Sequence, residues 1–331
     1  MSYRSRVQFV LGVATIVTAV GAMQAFSQGA DPNSAPNTYR AGESFGQLPA
    51  DRALGSAIGV EIDRDGKSVW VFDRCSANDC AGSKVAPIMK FDPSGKLMVS
   101  FGASMFSFPH GLAVDRDGNV WVTDGKSHIV VKFAPDGKVL MTLGHKDAPG
   151  ASNDSFNSPS DVAIAANGDI IIADGHGGKT NDRMVKLSKD GKFIKAWGRH
   201  GSAPGEFDTP HGIALDSTGR VFVADRVNSR VQVFDPDGNF VAEWKQFGRP
   251  SGVFVDKNDI LYVTDGQSDE KRNPGFKQGI RIGSAKDGKV TTLIPPDATL
   301  GVPESLTVDE QGAIFGGFTD KKFAVKKFVK Q

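Results

Sequence analysis

The chain repeats one pattern of hydrophobic and polar positions. After a proline come two short apolar stretches, which are separated by a turn containing glycine, and the second stretch ends in aspartate. Pro109–Asp115 with Val120–Asp124 shows the pattern, and Pro210–Asp216 with Val221–Asp225 shows it again. Because side chains on one face of a strand recur with period two, we expect these stretches to form strands in which buried and exposed positions alternate.

Six copies of the pattern follow one another, spaced by 40 to 53 residues. This spacing is typical of the four-stranded blade of a propeller. Asp-Gly and Asn-Gly dipeptides within the copies favour tight hairpins, because these residues adopt positive φ angles readily. The copies begin at Ala57, Pro109, Pro159, Pro210, Pro250 and Pro303. The sequence therefore predicts an all-β fold, a six-bladed β-propeller.

The sixth copy lacks residues for an outermost strand, because the chain stops shortly after the stretch Phe323–Val329. We expect residues near Thr38 to Leu48 to supply that strand and close the ring, which removes an exposed sheet edge. The chain then divides into a signal peptide (1–27), a leader that includes the closing strand (28–49) and the propeller (50–331).

The first 27 residues have the features of a secretory signal. Arg4 and Arg6 precede an uncharged, mainly apolar run from Val7 to Ala22. In Ala25-Phe26-Ser27, which follows, Ala25 and Ser27 are the small residues that signal peptidase recognises. We expect a cleaved signal and a secreted or periplasmic protein with no membrane association afterwards. An uncleaved N-terminal anchor is the alternative.

Charge excludes one class of partner. Without residues 1–27 the chain has 37 basic and 38 acidic residues, a net charge of −1. Nucleic-acid binding needs a clustered basic surface, so we expect no nucleic-acid partner. We expect a monomer that takes a small-molecule or peptide substrate.

Cys75 and Cys80 are the two cysteines of the chain. In an oxidising compartment two cysteines this close in sequence favour a local disulfide. A metal-binding pair is the alternative, although a structural zinc site would require further ligands.

Equivalent positions in a propeller form a ring around the axis. The second residues of the six copies are Ile58, His110, Ser160, His211, Ser251 and Glu304. Histidine or glutamate thus occupies every second copy, and alternate blades lie about 120° apart in a six-fold ring. We predict that His110, His211 and Glu304 hold a divalent metal on the axis, since two imidazoles and a carboxylate bind catalytic zinc or non-haem iron. Solvated loop residues are the alternative interpretation.

A second ring follows the aspartate that ends the second stretch. Arg74 and Arg226 occupy this position in the first and fourth copies, where they could bind a substrate carboxylate. A surface ion pair is the alternative for both. His176, in a glycine-rich segment, could act as a general base near neutral pH, or be an exposed loop residue.

The segment Gly201–Ala214 resembles the sequence that joins the blades of NHL-repeat propellers, and the resemblance covers nearly all of residues 54–331. Among these propellers the chain is most similar to the peptidyl-α-hydroxyglycine α-amidating lyases. Phe108-Pro-His110-Gly-Leu and Thr209-Pro-His211-Gly-Ile match two zinc motifs of that family. Val71-Phe-Asp-Arg74 matches the segment of its catalytic arginine, and Val223-Ala-Asp-Arg226 matches another.

This resemblance implies a central zinc held by three histidines, with an arginine and a tyrosine at the substrate. The chain departs from that pattern at three places. Glu304 occupies the position of the third histidine, and His176 occupies the position of the tyrosine. Ser305 stands where the family has an aspartate that binds a structural calcium, so calcium is not expected.

The sequence thus predicts an exported metal-dependent lyase or hydrolase, in which the metal polarises a substrate oxygen or activates water. The resemblance implies cleavage of a peptidyl-α-hydroxyglycine to an amide and glyoxylate. Two alternatives remain open at this point. One is a non-catalytic propeller that binds a peptide, glycan or protein, and the other is a lactone hydrolase of the gluconolactonase type.

Overall fold

The computed structural model of the chain describes residues 31–178, 180–319 and 324–331. The predicted signal peptide therefore lies outside the described residues. Across the described part, 24 strands form six antiparallel sheets of four strands each. These sheets are the blades of a β-propeller, which confirms the predicted fold class. In the same part of the chain, no helix is long and apolar enough to cross a bilayer.

The strands are numbered in chain order, and each blade is given from the axis outwards. Blade 1 contains β2 (Ala57–Ile62), β3 (Val69–Asp73), β4 (Ile88–Phe91) and β5 (Leu97–Phe101). Blade 2 contains β6 (Pro109–Val114), β7 (Val120–Asp124), β8 (Ile129–Phe133) and β9 (Val139–Gly144). Blade 3 contains β10 (Pro159–Ile164), β11 (Ile170–Asp174), β12 (Arg183–Leu187) and β13 (Phe193–Trp197).

Blade 4 contains β14 (Pro210–Leu215), β15 (Val221–Asp225), β16 (Arg230–Phe234) and β17 (Phe240–Trp244), and a 3₁₀ turn follows at Lys245–Phe247. Blade 5 contains β18 (Val253–Val255), β19 (Ile260–Asp265), β20 (Gly279–Ser284) and β21 (Val290–Ile294). Blade 6 contains β22 (Ser305–Val308), β23 (Ile314–Phe318), β24 (Ala324–Lys330) and β1 (Tyr39–Phe45).

The outer strand of blade 6 comes from the N-terminal leader. β1 pairs with β24 in antiparallel orientation, with Tyr39 opposite Lys330 and Phe45 opposite Val325. The backbone N–H of Gln331 also donates to the carbonyl oxygen of Thr38, over 2.9 Å. The leader therefore covers the edge of β24, which would otherwise be open to pairing with another chain.

The innermost strands contact one another around the whole ring, and a hydrophobic cluster fills each of the six spaces between blades. In β3, Trp70 and Phe72 pack against blade 2, whereas Val69 and Val71 pack against blade 6. Adjacent residues of one strand thus belong to two different cores. The blades are held together mainly by burial of apolar surface between them.

The predicted alternation of buried and exposed residues is wrong for the second strands. Every residue of β3, β7, β11, β15 and β23 is buried. Both faces of each second strand contact a neighbouring blade, so neither face is open to solvent. Alternation appears on the outer strands, such as β5, where exposed positions recur at every second residue.

Glycine is required where an outer hairpin of one blade meets the preceding blade. Gly137 has a φ of 90°, and a Cβ atom there would lie 2.7 Å from the Phe101 ring of blade 1. Gly238 has a φ of 76°, and its Cβ would lie 2.8 Å from the Trp197 ring of blade 3. The Asp-Gly pairs identified in the sequence therefore serve the tight turn and the close packing of adjacent blades.

Candidate metal centre

Two histidines reach the central channel through a local bulge in the inner strand. The pairing of β6 with β7 shifts register between Pro109 and Leu112, and the pairing of β14 with β15 shifts at the equivalent place. A bulge bends its strand and redirects the side chains within it. His110 and His211 lie in these bulges, line the channel and are 3% and 4% exposed.

The aspartates that end the second strands fix the segments leading into these bulges. Asp124 accepts hydrogen bonds from the backbone N–H groups of Ser107 (2.6 Å) and Phe108 (3.0 Å). In blade 4, Asp225 accepts one from the N–H of Asp208 over 2.8 Å. Both aspartates are fully buried, so these bonds are protected from water. The repeated aspartate therefore holds the backbone just before each histidine.

The next odd-numbered blade sets the orientation of each imidazole. Nδ1 of His110 lies 2.7 Å from the carbonyl oxygen of Ser160, and Nδ1 of His211 lies 3.1 Å from that of Ser251. A carbonyl can only accept, so Nδ1 carries the proton and Nε2 has a free lone pair. Both Nε2 atoms are buried and form no hydrogen bond within the described part of the chain. This arrangement is typical of metal-binding histidines.

His176 completes a group of three imidazoles. It lies in the loop between β11 and β12, where its backbone N–H donates to the carbonyl oxygen of Ser158 over 2.8 Å. Its ring centroid lies 4.5 Å from that of His110 and 5.2 Å from that of His211. One ring nitrogen from each of the three histidines lies within 4.8 Å of the other two. The three residues could therefore bind a metal ion.

Glu304 lies beside this group and does not belong to it. Its Oε1 is 3.1 Å from Nε2 of His211, without the geometry of a hydrogen bond, and accepts a hydrogen bond from Nη1 of Arg226 over 2.9 Å. The structure thus brings His110 and His211 together, as the sequence predicts, and adds His176 as a third imidazole. The assignment of Glu304 as the third ligand stays a prediction.

Burial determines the charge of the three imidazoles. It lowers the pKa of His110 and of His211 well below the ordinary value. The pKa of His110 is lowered further by His176 and His211, and that of His211 by Arg226 and then His176. Burial, followed by the Arg226 cation, lowers the pKa of His176 to about 4. All three imidazoles are therefore neutral at pH 7, which is the form that binds metals.

Arg74 is held against the histidine motif of blade 2. Its Nε donates to the carbonyl oxygen of Pro109 over 3.1 Å, and its guanidinium carbon lies 3.7 Å from the centre of the Phe108 ring. Burial lowers the pKa of Arg74 to about 10, so the side chain remains charged at neutral pH. The positive charges of Arg74 and Arg226 both lower the pKa of His176.

Arg226 forms an ion pair with Glu304. The alternative interpretation from the sequence was a surface ion pair, but this pair is largely buried. The side chains are only 14% and 18% exposed. Nε of Arg226 is buried and has no hydrogen-bond partner among the described residues. Its Nη2 also donates to no acceptor among the described residues, and this is the nitrogen left for a ligand.

Phe108 and Asn78 both contact Arg74, a role that the sequence does not predict for either residue. Phe108 directly precedes the proline of the blade 2 motif, and Asn78 lies between Cys75 and Cys80. The sequence shows that both residues are close to predicted site residues along the chain, but this closeness does not specify the direction of their side chains. The two cysteines form a disulfide.

Comparison with known proteins identifies the family. A family model for the NHL repeat matches residues 106–133 and 207–234, the copies that contain His110 and His211. NHL repeat-containing protein 3 of Mus musculus is 32% identical over 257 residues, which cover 75% of this chain and 67% of that protein. The chain belongs to the NHL-repeat family.

Two amidating enzymes are also similar to this NHL propeller. A probable peptidyl-α-hydroxyglycine α-amidating lyase of Caenorhabditis elegans is 34% identical over 211 residues, 58% of this chain and 59% of that protein. Peptidyl-glycine α-amidating monooxygenase A of Xenopus laevis is 34% identical over 286 residues, 80% of this chain and 30% of that protein. The chain spans less than two thirds of the length of both enzymes.

Solved structures resemble the propeller as a whole. Virginiamycin B lyase from Staphylococcus aureus has a TM-score of 0.59 and 16% identity, covering 88% of this chain and 100% of that one. A gluconolactonase from Xanthomonas campestris has a TM-score of 0.58 and 16% identity, covering 88% and 99%. At such low identity the likeness shows the fold alone.

The channel of the NHL propeller has a volume of about 230 Å³, and two carboxyl groups line it. Glu61 on β2 accepts a hydrogen bond from the hydroxyl of Thr307 over 3.2 Å, and Asp161 on β10 accepts one from the N–H of Ile213 over 2.9 Å. Both lie deep in the protein but keep part of their surface open to the channel. Burial raises the pKa of Glu61 to about 8 and that of Asp161 to about 7.

Replacing Glu61 with glutamine is expected to raise the melting temperature at pH 8.5, by roughly 2–5 °C. The folded protein holds the Glu61 proton more tightly than the unfolded chain, so stability falls as the pH rises from about 4.3 through about 8. Glutamine stays neutral and keeps the acceptor for Thr307. Thermal unfolding should show that the variant's increase in melting temperature over wild type is larger at pH 8.5 than at pH 5. The exposed Glu270→Gln is the control, and equal gains at both pH values would contradict the expectation.

Proposed function

We propose that this NHL propeller is a metal-dependent lyase that cleaves a peptidyl-α-hydroxyglycine into a peptide amide and glyoxylate. One observation carries the proposal: three neutral imidazoles converge at the channel beside two arginines. Similarity to proteins named as amidating lyases supports the substrate class.

His110, His176 and His211 would hold the metal. Three neutral imidazoles are a ligand set of catalytic zinc, so zinc is the proposed ion and iron is the alternative. When bound, the ion supplies a Lewis acid at an oxygen of the substrate. Glu304 remains the alternative third ligand that the sequence predicts.

Arg74 and Arg226 would bind the carboxylate of the substrate. Among the described residues, none accepts a hydrogen bond from Nη2 of Arg74 or from Nη2 of Arg226. Both guanidinium groups thus keep donors for an anionic ligand, and charge-assisted bonds to a carboxylate are short and strong. The stacking of Arg74 on Phe108 holds one of these donors in a fixed direction.

The reaction breaks the bond between the hydroxyl-bearing carbon and the amide nitrogen. As the aldehyde of glyoxylate forms, the hydroxyl group loses its proton, and the nitrogen receives the bonding electrons together with a proton. Oε1 of Glu304 lies beside His211 and Arg226, where it could accept that proton and return it to the nitrogen. His176 is the alternative for this step if it does not bind the metal.

Export of the protein belongs to the same proposal. The disulfide between Cys75 and Cys80 supports it, because disulfides persist in oxidising compartments. The predicted signal peptide at residues 1–27 is the segment that would direct the chain there.

The proposal is tested by incubating zinc-loaded protein (residues 28–331) with a short peptidyl-α-hydroxyglycine and measuring amide and glyoxylate. Equal amounts of the two products are expected. Arg74→Lys should raise KM about tenfold with bound zinc unchanged, because lysine loses the planar, multiple hydrogen bonds of the guanidinium. The control is Arg199→Lys, since Arg199 is 81% exposed and forms its ion pair with Glu206 at the surface.

A sugar lactone serves as the second substrate. Hydrolysis of the lactone without cleavage of the peptide would contradict the proposal and identify a lactone hydrolase. Turnover of neither substrate by zinc-loaded protein would favour a binding propeller without catalysis.

A further inference from the structure

A disulfide closes the short loop that begins directly after Arg74. Cys75 is bonded to Cys80, and the two residues are 7% and 2% exposed. The carboxylate of Asp73 accepts hydrogen bonds from the backbone N–H groups of Cys75 (3.1 Å) and Ser76 (3.3 Å). The loop is therefore fixed at its base by a buried covalent bond and a buried carboxylate.

The backbone of this loop adopts a conformation that ordinary residues avoid. Cys75 has a φ of 56° and Ser76 a φ of 64°, both in the left-handed region. Two such residues in succession persist only when surrounding contacts hold them. The disulfide and the hydrogen bond from the N–H of Ala77 to the carbonyl oxygen of Arg74 (2.9 Å) supply those contacts.

Asn78 projects from the loop onto the guanidinium of Arg74. Its Oδ1 accepts hydrogen bonds from Nη1 of Arg74 (3.0 Å) and from the hydroxyl of Ser56 (2.7 Å). On the blade 2 side, Arg74 contacts the Phe108 ring and the carbonyl oxygen of Pro109. An arginine has several rotatable bonds, so one contact would not fix its guanidinium, whereas contacts from two blades do.

We propose that the disulfide-closed loop Cys75–Cys80 positions the guanidinium of Arg74 for the substrate, through Asn78. This inference rests on the proposed function, because it assigns the loop to the arginine that would bind the substrate carboxylate. Asn78 acts only through Arg74 and is a positioning residue. The equivalent loop of blade 2, residues 125–128, contains no cysteine.

The test compares Asn78→Ala and Cys75→Ser/Cys80→Ser with wild type by two readouts. The first is the rate at which phenylglyoxal modifies Arg74, measured by mass spectrometry of peptides, and it requires no activity. We expect modification to be about fivefold faster in both variants, because the released side chain becomes accessible. The second is the KM for the peptidyl-α-hydroxyglycine, which should rise about tenfold with bound zinc and kcat little changed.

Two further variants make the test specific. Asn78→Asp keeps an acceptor oxygen for Nη1 of Arg74 and should restore the modification rate to near the wild-type value. Asn119→Ala removes an asparagine that bonds to Asp115 in the first hairpin turn of blade 2 and should match wild type in both readouts. If the double serine variant fails to fold, Asn78→Ala decides alone, since it retains the disulfide.

Unchanged modification of Arg74 in Asn78→Ala would overturn the inference, whether or not the protein cleaves the peptide. Faster modification with an unchanged KM would overturn it as well, because substrate binding would not depend on the position of Arg74. Faster modification in a protein that has no turnover even as wild type would support the positioning role and reject the proposed function.

Discussion

Replacing His110 and His211 with alanine is expected to reduce bound zinc from about one ion per chain to less than about a tenth. Each substitution removes a buried Nε2 atom that has no hydrogen-bond partner among the described residues. A single remaining imidazole cannot hold the ion against dilution. Elemental analysis of dialysed protein measures this directly, and lyase activity should fall about 1000-fold or more in parallel.

The matched control for this experiment is His145→Ala/His200→Ala. These two histidines are 58% and 46% exposed and contact aspartates away from the imidazole group. The control variant should keep its zinc and its activity, which separates the loss of two ligands from the loss of any two imidazoles. Equal zinc content in the two double variants would contradict the metal centre.

Single variants then distinguish the two candidates for the third ligand. His176→Ala should lose most of the zinc, because a ring nitrogen of His176 lies within 4.8 Å of those of His110 and His211. Glu304→Gln should keep the zinc but lose activity, since the amide still accepts a hydrogen bond from Arg226 but cannot take a proton. The opposite pattern of zinc contents would favour the ligand set predicted from the sequence.

The rotational symmetry of the repeat explains why two of the three imidazoles could be predicted. Residues at the same place in each copy lie at the same height and the same distance from the axis. His110 and His211 hold the same place in copies two and four, so they had to approach each other at the channel. The two histidines are 101 residues apart along the chain, but their proximity can still be predicted, because the repeat fixes the position of each one independently.

The repeat does not fix the place of His176, because its loop is longer than those of other blades. The resemblance to the amidating lyases is what predicts this residue at the substrate. Its loop joins β11 to β12, and the equivalent loops of blades 2 and 4 are only four residues long. An extended loop can cross the channel mouth or turn away from it, and no sequence period specifies which. Glu304 holds the equivalent place in copy six, but the nearby Arg226 binds its carboxylate, and that contact depends on side-chain packing across blades.

The burial of the second strands is another feature that the sequence did not predict correctly. The sequence of β11 (Ile170–Asp174) is apolar except for its last residue, which is typical of a strand covered on both faces. We expected alternation because a single antiparallel sheet usually has one face open to water. In a propeller each sheet is packed between two others, and this follows only from the closed ring.

Replacing Tyr39 and Phe45 on β1 with alanine is expected to lower the free energy of unfolding by about 5 kcal/mol. Tyr39 is 5% exposed and its hydroxyl donates to the carbonyl oxygen of Gly312 over 3.1 Å. The ring of Phe45 lies 4.9 Å from that of Phe315. These side chains attach the leader to blade 6, so their loss should also weaken the pairing of β1 with β24 and expose that edge to aggregation.

Thermal unfolding measures this effect, and a change of about 5 kcal/mol should lower the melting temperature by roughly 10 °C in a chain of this size. The control is Phe193→Ala/Ile194→Ala on β13, which is also an outer strand and whose two side chains are 38% and 47% exposed. Because these side chains bury little surface, the control should melt within about 2 °C of wild type. Similar melting temperatures for both double variants would mean that the leader strand contributes no more than any outer strand. A selective loss in Tyr39→Ala/Phe45→Ala would show that the closed ring, and with it the channel that brings the three imidazoles together, depends on the N-terminal leader.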